Sequence, residues 1–285
     1  MGKIILIVLL VLFVLWSLLL LPRRNQPGWE KLAGVRYAHR GLHDKALGIP
    51  ENSLAAFRRA AEEGFGAELD VHLLADGELA VVHDSDLSRV CGKKVLIEDL
   101  TAADLKDYPL QGTEETIPLF REVLAVFEKK TPLIIELKVE RGDAAALTDR
   151  VMEELAGWQG TYCIESFHPG ALLWLKKRYP QVIRGQLSEN FLRRGEGSSL
   201  HLPSRFMMTY LLSTFLTRPD FIAYNYKDRA CRSLRLMRGL YGVHEVGWTI
   251  RDKDVMEKLE QEGVTPIFEL SLIHISEPTR PRLIS

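Results

Sequence analysis

The chain has 285 residues, 46% of them hydrophobic and 26% charged, enough apolar material for one large barrel or two smaller domains. A formal net charge of -1 argues against a nucleic-acid partner, which calls for a basic surface. Cys91, Cys163 and Cys231 form no CxxC pair, so neither a disulfide framework nor a thiolate zinc site is indicated, and all three read as buried thiols in a reducing compartment.

Residues 4–21, IILIVLLVLFVLWSLLLL, are apolar except for Ser17. At about 1.5 Å per residue the run nearly spans a hydrocarbon core of roughly 30 Å, so it reads as a membrane anchor. It is too long for the apolar part of a signal peptide and lacks a small-x-small cleavage site. Lys3 lies on one side, and Arg23, Arg24, Lys31 and Arg36 on the other, which leans towards a cytoplasmic globular domain. The expected division is an anchor with its basic flank over 1–24 and a globular barrel unit over 25–269.

From there β-rich runs alternate with helical patterns, as parallel βα units do. Strands are expected at 35–38, 67–71, 133–137, 162–165, 182–186, 221–224, 244–248 and 265–268. Eight of them suggest an α/β protein with a closed (β/α)8 TIM-type barrel, although an open doubly wound sheet alternates in a similar way. NSLAAFRRAAEEG has Asn52 or Ser53 to cap a helix, Leu54, Phe57 and Ala61 on one face, and Gly64 to end it. LFREVLAVFEKK, over 119–130, reads similarly. Residues 204–219, SRFMMTYLLSTFLTRP, are apolar almost all round, so a buried barrel helix is expected there, with bilayer contact as the alternative.

ELDVHLLADGELAVVHD, over 68–84, alternates on both sides of Asp76-Gly77, a dipeptide suited to a two-residue type I′ hairpin. That register sets Asp70 opposite His83 and turns Glu68 to the same face. Val71 and Leu69 supply the opposite, apolar face, so the polar side is expected at the barrel mouth, where barrel enzymes keep their chemistry. LIIELK adds Glu136, which shares a face with Lys138. Three converging carboxylates repel one another unless a cation sits among them, and oxygen ligands suit Ca²⁺ or Mg²⁺ rather than zinc. Glu68, Asp70 and Glu136 are therefore expected to be metal ligands. His39 and His43 have the spacing of a helical zinc grip, but Gly41 and the preceding strand argue against a helix.

In this order, HRG, PEN, ELDV, DG, VVHD and IELK resemble the glycerophosphodiester phosphodiesterase family, over about 35–269. The resemblance implies a phosphatidylinositol-phospholipase-like (β/α)8 barrel with one divalent ion at its mouth. It implies His39 and His83 as the acid/base pair, Glu68, Asp70 and Glu136 as metal ligands, and Arg40, Glu51 and Lys138 as polar groups at the substrate. The family has a tryptophan like Trp248, which packs either on the glycerol part or in the core, and Phe167 has the same two readings. The implied activity is metal-dependent hydrolysis of glycerophosphodiesters to glycerol 3-phosphate and an alcohol, in lipid metabolism. The alternatives are a phospholipase D-like enzyme on lysolipids and a tethered domain that binds head groups without catalysis. His72 is expected to be solvated, and His168 and His244 to be structural.

The segment 270–280, LSLIHISEPTR, matches a translation of a transposase-based sequencing adaptor, so the natural sequence is expected to stop near Glu269 and the tail 270–285 to carry no function. A missing closing helix would then expose apolar surface on the last strand unless residues between Leu21 and Val35 cover it.

Overall fold

The barrel closes because each of its strands carries two usable faces. In a computed structural model, residues 1–23, 28–193, 201–272 and 275 are described. Arg24 of the basic flank and most of the tail after Glu269, His274 included, lie outside the described residues. The strands are β1 (Tyr37–His39), β2 (Gly66–Leu73), β3 (Leu79–Val81), β4 (Leu133–Leu137), β5 (Tyr162–Ser166), β6 (Arg184–Ser188), β7 (Phe221–Asn225), β8 (His244–Ile250) and β9 (Thr265–Phe268). Their order is β1-β9-β8-β7-β6-β5-β4-β2-β3, and β1 also pairs with β2, which closes the ring. Every pair in the ring is parallel; only β3 is antiparallel, on the end of β2.

Outward residues such as Leu69, Val71, Ile135, Ile164 and Phe268 lie under the helices and form the main core. Inward residues form a plug at the N-terminal ends of the strands, where Trp29 and Leu32 meet Tyr37, Ile134, Cys163, Phe221 and Ile267. Along several strands the same inward face then turns polar two residues later. Tyr37 gives way to His39, Ile134 to Glu136, Cys163 to Glu165 and Ile267 to Glu269. Parity thus stacks an apolar floor beneath a polar mouth.

Helix α1 (Gly2–Leu19) has a mean hydropathy of 2.8 and is 6% buried. Among the described residues it is the one helix long and apolar enough to cross a membrane. Its foot is fixed: Thr214 Oγ1 donates to Leu19 O at 3.1 Å and Tyr241 OH to Ser17 O at 2.8 Å, while Leu20 packs against Leu211, Ile222, Leu234 and Met237. The remaining helices are α2 (Leu54–Glu62), α3 (Ser88–Cys91), α4 (Phe120–Phe127), α5 (Ala144–Leu155), α6 (Pro169–Arg178), α7 (Leu202–Thr209), α8 (Thr214–Thr217), α9 (Arg232–Tyr241) and α10 (Lys253–Gln261). As expected for α2, the Ser53 hydroxyl caps it by accepting the Ala56 N–H at 3.1 Å.

Three expectations are corrected. The hairpin pairs Val71 with Val81 and Leu73 with Leu79, one residue away from the expected register. The turn holds three residues, Ala75 to Gly77: Leu74 N–H donates to Glu78 O, Gly77 N–H to Leu74 O, and Gly77 takes φ +84°. The apolar stretch 204–219 is not one buried helix. It divides between α7 and α8, with Leu211 buried and Phe206 and Leu216 exposed at 49% and 42%. The last strand is not left bare: all of β9 is buried, and Leu270, Leu272 and Ile275 pack against the main core.

Gly66 sits on the floor where the Tyr37 ring needs room. A Cβ there would stand 2.7 Å from Tyr37 Cδ1 and 2.8 Å from the Pro132 carbonyl oxygen. Gly66→Ala is expected to cost about 1–3 kcal/mol by overpacking, read as a lowered midpoint in denaturant titration.

Candidate active site

The two residues that enter the mouth first do so on unusual backbone. Arg40 and Asn52 hold φ of +55° and +53°, a left-handed conformation that costs a side-chain-bearing residue energy and recurs at functional sites. Hydrogen bonds hold both in place. Arg40 N–H donates to Glu68 Oε2 at 3.1 Å, Asn52 N–H donates to Arg40 O at 2.8 Å, and Asn52 Nδ2 donates to Asp70 Oδ2 at 2.9 Å.

Parallel register places the acids side by side. His39 lies beside Glu68, Asp70 beside Glu136, and Glu136 beside Glu165. Glu68, Asp70 and Glu136 are buried, and each offers an oxygen within 4.8 Å of the other two. Lys138 Nζ stands 3.1 Å from Glu136 Oε1 and 3.8 Å from Asp70 Oδ1, and Arg40 Nε 3.6 Å from Asp70 Oδ2. Asp70 Oδ1 and Glu165 Oε2 are buried without a hydrogen-bond partner. Glu68, Asp70, Glu136 and Glu165 face Lys138 and Arg40, and Glu189 adds a fifth buried carboxylate to the same cavity, so acid is in excess where a divalent cation would offset it, and the unpartnered Asp70 oxygen fits that role.

The electrostatics agree with this geometry. Burial, then Asp70 and Glu136, push the Glu68 carboxyl well up, and burial lifts Glu136 to about 7 against the pull of Lys138. Burial also works to raise Asp70, but His83, Lys138 and Arg40 together hold it below the ordinary carboxylate range. Glu165 is driven well up by burial and by its acidic neighbours.

A histidine stands at each side. His39 Nδ1 lies 3.3 Å from Glu269 Oε2, and its Nε2 lies 3.9 Å from Glu68 Oε2. Burial lowers the His39 pKa, and Glu269 only partly offsets it. Burial would raise Glu269, but bonds to His39 and Arg251 take it down to about 2. His83 reaches the mouth although the corrected register does not set it opposite Asp70. β3 ends at Val81, and the last bond of the ladder runs from Val82 N–H to Asp70 O at 3.0 Å, so His83 lies just beyond it. Its Nδ1 lies 2.7 Å from Asp84 Oδ1, and Arg89 Nε donates to Asp84 Oδ2 at 2.5 Å. Arg89 also clamps Glu51, donating to its two oxygens at 2.7 and 3.0 Å, while Arg40 Nη1 donates to Glu51 at 2.7 Å. An unbroken chain thus runs from His83 through Asp84, Arg89 and Glu51 to Arg40.

All nine residues expected at the site belong to this mouth or its supports. A cavity of about 250 Å³ is lined by His39, Arg40, Glu68, His83, Glu136 and Trp248 among others. Asp70, Glu51 and Lys138 brace it from behind. Trp248 packs edge-on to Phe167 with ring centroids 5.7 Å apart, and its Nε1 has no hydrogen-bond partner. His72 corrects its expectation: it is fully buried, with Nδ1 2.8 Å from Glu98 Oε1, because the end of β2 is covered by the loop over 97–99. His244 stacks on Trp29 at 4.6 Å, a structural role as expected, and His43 stays in the loop after Gly41. Glu165, Glu269, Asp84 and Arg89 were not expected. Glu165 shares strand parity with Cys163 as Glu136 does with Ile134, so the same inward-face argument would have found it.

Residues 39–269 match the family described as Glycerophosphoryl diester phosphodiesterase family. A glycerophosphodiester phosphodiesterase of Bacillus altitudinis is 34% identical over 157 residues, covering 51% of this chain and 63% of the relative. Another, from Caldanaerobacter subterraneus subsp. tengcongensis, is 29% identical over 242 residues, covering 81% and 91%. A phosphodiesterase of Oleispira antarctica, solved in complex with the product sn-glycerol-3-phosphate, superposes with a TM-score of 0.64 at 22% identity, covering 84% of this chain and 94% of that one. At that identity the likeness concerns the fold.

Two outcomes follow from the geometry. A cation must displace protons held on Glu136 below about 7, so Mg²⁺ or Ca²⁺ is expected to bind more weakly as the pH falls through that value, with proton release seen by calorimetry in buffers of different ionisation enthalpy. Arg89→Met is expected to lower kcat/KM by about tenfold, near 1.4 kcal/mol, with an unchanged circular dichroism spectrum.

Proposed function

Because the chain belongs to the glycerophosphoryl diester phosphodiesterase family, we propose that it hydrolyses glycerophosphodiesters to glycerol 3-phosphate and an alcohol, using one divalent cation, Mg²⁺ or Ca²⁺. The observation that carries this reading is the trio of buried carboxylates, with oxygens within 4.8 Å of one another, set between two carboxylate-paired imidazoles. Glu68, Asp70 and Glu136 would hold the cation. Bound there, it would neutralise the cluster and act as a Lewis acid on a phosphoryl oxygen.

The chain's own residues do the proton work. Glu269 stays ionised and accepts the Nδ1 proton of His39, which leaves the lone pair of Nε2 facing the acids, and burial keeps the ring neutral. His39 is therefore the base, taking the proton of the attacking hydroxyl, whether of water or of the substrate glycerol. His83 is the acid, held through Nδ1 by Asp84 so that its other nitrogen is free to protonate the departing alcohol oxygen. Arg40 and Lys138 supply positive charge where the phosphoryl group gains negative charge in the transition state. Trp248 offers an apolar face and one unpartnered N–H to the glycerol part.

We also assign 1–24 to a single-pass anchor and 25–269 to the catalytic barrel, with the barrel in the cytoplasm. The exposed flank of α1 and the cations after it support the anchor. A silent head-group-binding domain has less support, since it gives no reason to pair both imidazoles with carboxylates.

The test uses the full chain in detergent with glycerophosphocholine and glycerophosphoethanolamine, assaying glycerol 3-phosphate. Activity is expected to vanish with EDTA and return with Mg²⁺ or Ca²⁺. His39→Ala and His83→Ala should each lower kcat by about a hundredfold to ten-thousandfold. Turnover that ignores EDTA, or that survives both substitutions, would contradict the mechanism.

A further inference from the structure

A second cleft lies at the opposite end of the barrel from the mouth, at the foot of α1. Its volume is about 480 Å³, and Leu21, Pro22, Arg23, Lys176, Arg184 and Arg218 line it. The four cations come from four places: the linker after α1, the last turns of α6, the first residue of β6 and the residue that ends α8. Among the described residues that line or touch the cleft, the acid paired with them is Asp220, with Oδ1 3.5 Å from Arg23 Nη1 and Oδ2 accepting the Arg184 backbone N–H at 3.0 Å. Positive charge is in excess.

Arg184 is the informative residue, being 3% exposed. Its Nε donates to Thr217 O at 2.9 Å and its Nη2 to Arg218 O at 2.7 Å, but Nη1 is buried with no hydrogen-bond partner. A buried guanidinium donor left unpaired is costly, so its presence on the wall of a cationic cleft points to an anion. Lys176 is already tied to the cleft wall, donating to Leu216 O at 2.6 Å, and burial together with Arg218 and Arg184 lowers its pKa.

The surroundings say which anion. Leu21 and Pro22 of the wall directly follow α1, and Arg23 N–H donates to Pro219 O at 2.9 Å, which ties this linker to the barrel. Phe215 and Leu216, exposed at 37% and 42%, stand in the same short helix that Arg218 ends. Apolar side chains beside cations at the end of a membrane-spanning helix match the boundary between acyl chains and head groups.

We propose that this cleft binds the phosphate of an anionic phospholipid in the leaflet that α1 enters. The proposal rests on the anchoring of α1 put forward above. The lipid is a ligand there and not a substrate, because the acids and imidazoles lie at the other ends of the strands. Holding it would seat the N-terminal face of the barrel on the membrane and turn the catalytic mouth to water.

The full chain would be reconstituted in nanodiscs of equimolar phosphatidylglycerol and phosphatidylcholine, and the lipids retained on gentle release counted by native mass spectrometry. Wild type is expected to retain phosphatidylglycerol over phosphatidylcholine by about fivefold. The double variant Lys176→Gln/Arg218→Gln should retain both equally, with unchanged glycerophosphodiester turnover in detergent. Arg184→Lys, which keeps the charge but not the planar fork, should reduce the preference. Equal retention by wild type, or displacement of phosphatidylglycerol by inorganic phosphate at similar concentration, would overturn the lipid site. Anchoring is read separately: a chain stripped from phosphatidylcholine vesicles by alkaline carbonate would refute the anchor and the lipid site with it. Retention in those vesicles without lipid preference would refute the lipid site alone.

Discussion

Glu68, Asp70, Glu136 and Glu165, buried side by side in the barrel mouth, impose the constraint that the rest of the molecule answers. Like charges in a water-poor space must be protonated, paired or bridged by a metal. The chain partly pairs them, with Lys138 between Glu136 and Asp70, Arg40 against Asp70, and Asn52 as a neutral donor. What remains is a deficit of charge and an unpartnered Asp70 oxygen. The left-handed backbone at Arg40 and Asn52 belongs to the same answer, since it turns an N–H and a side chain towards the acids.

Two ion-paired arms hold the imidazoles at this cluster. Glu269 and Arg251, each just past the end of β9 or β8, steady His39, and Asp84 in the loop after β3 with Arg89 of α3 steadies His83. The arms differ in burial: His39 lies in a dry wall that disfavours its charged form, whereas His83 is a third exposed. In the mechanism proposed above, that asymmetry is what separates a base from an acid without any difference in residue type. Arg89 joins the second arm to Glu51 and Arg40, so hydrogen bonds tie His83 to the β1 side of the mouth.

Much of this was legible in the sequence where a side chain's place follows from parity along one strand. Asp70 and Glu136 converge because inward residues of adjacent parallel strands share a level, and Glu68 joins them from two residues earlier on the same inward face of β2. The hairpin shows where local reasoning ends. Asp76-Gly77 fits a two-residue turn, but a three-residue turn with Gly77 in the left-handed region also fits, and the difference of one residue reverses every face. His83 still reaches the mouth because it lies beyond the ladder. His72 was misread for a related reason, since its cover comes from Glu98, 26 residues away. Arg89 carried no local signal: its partner Glu51 is 38 residues distant and only the closed barrel brings them together. The apolar segment 204–219 misled because hydrophobicity does not distinguish a face turned to the core from one turned outward.

The proposed chemistry needs a cation held between Glu68, Asp70 and Glu136. The most direct measurement is a crystal structure of the barrel grown with Mn²⁺, with anomalous data at the manganese edge. One strong peak within bonding distance of an oxygen from each of the three residues is the predicted result. An empty cluster under saturating metal, with the carboxylates still closed on Lys138 and Arg40, would contradict it.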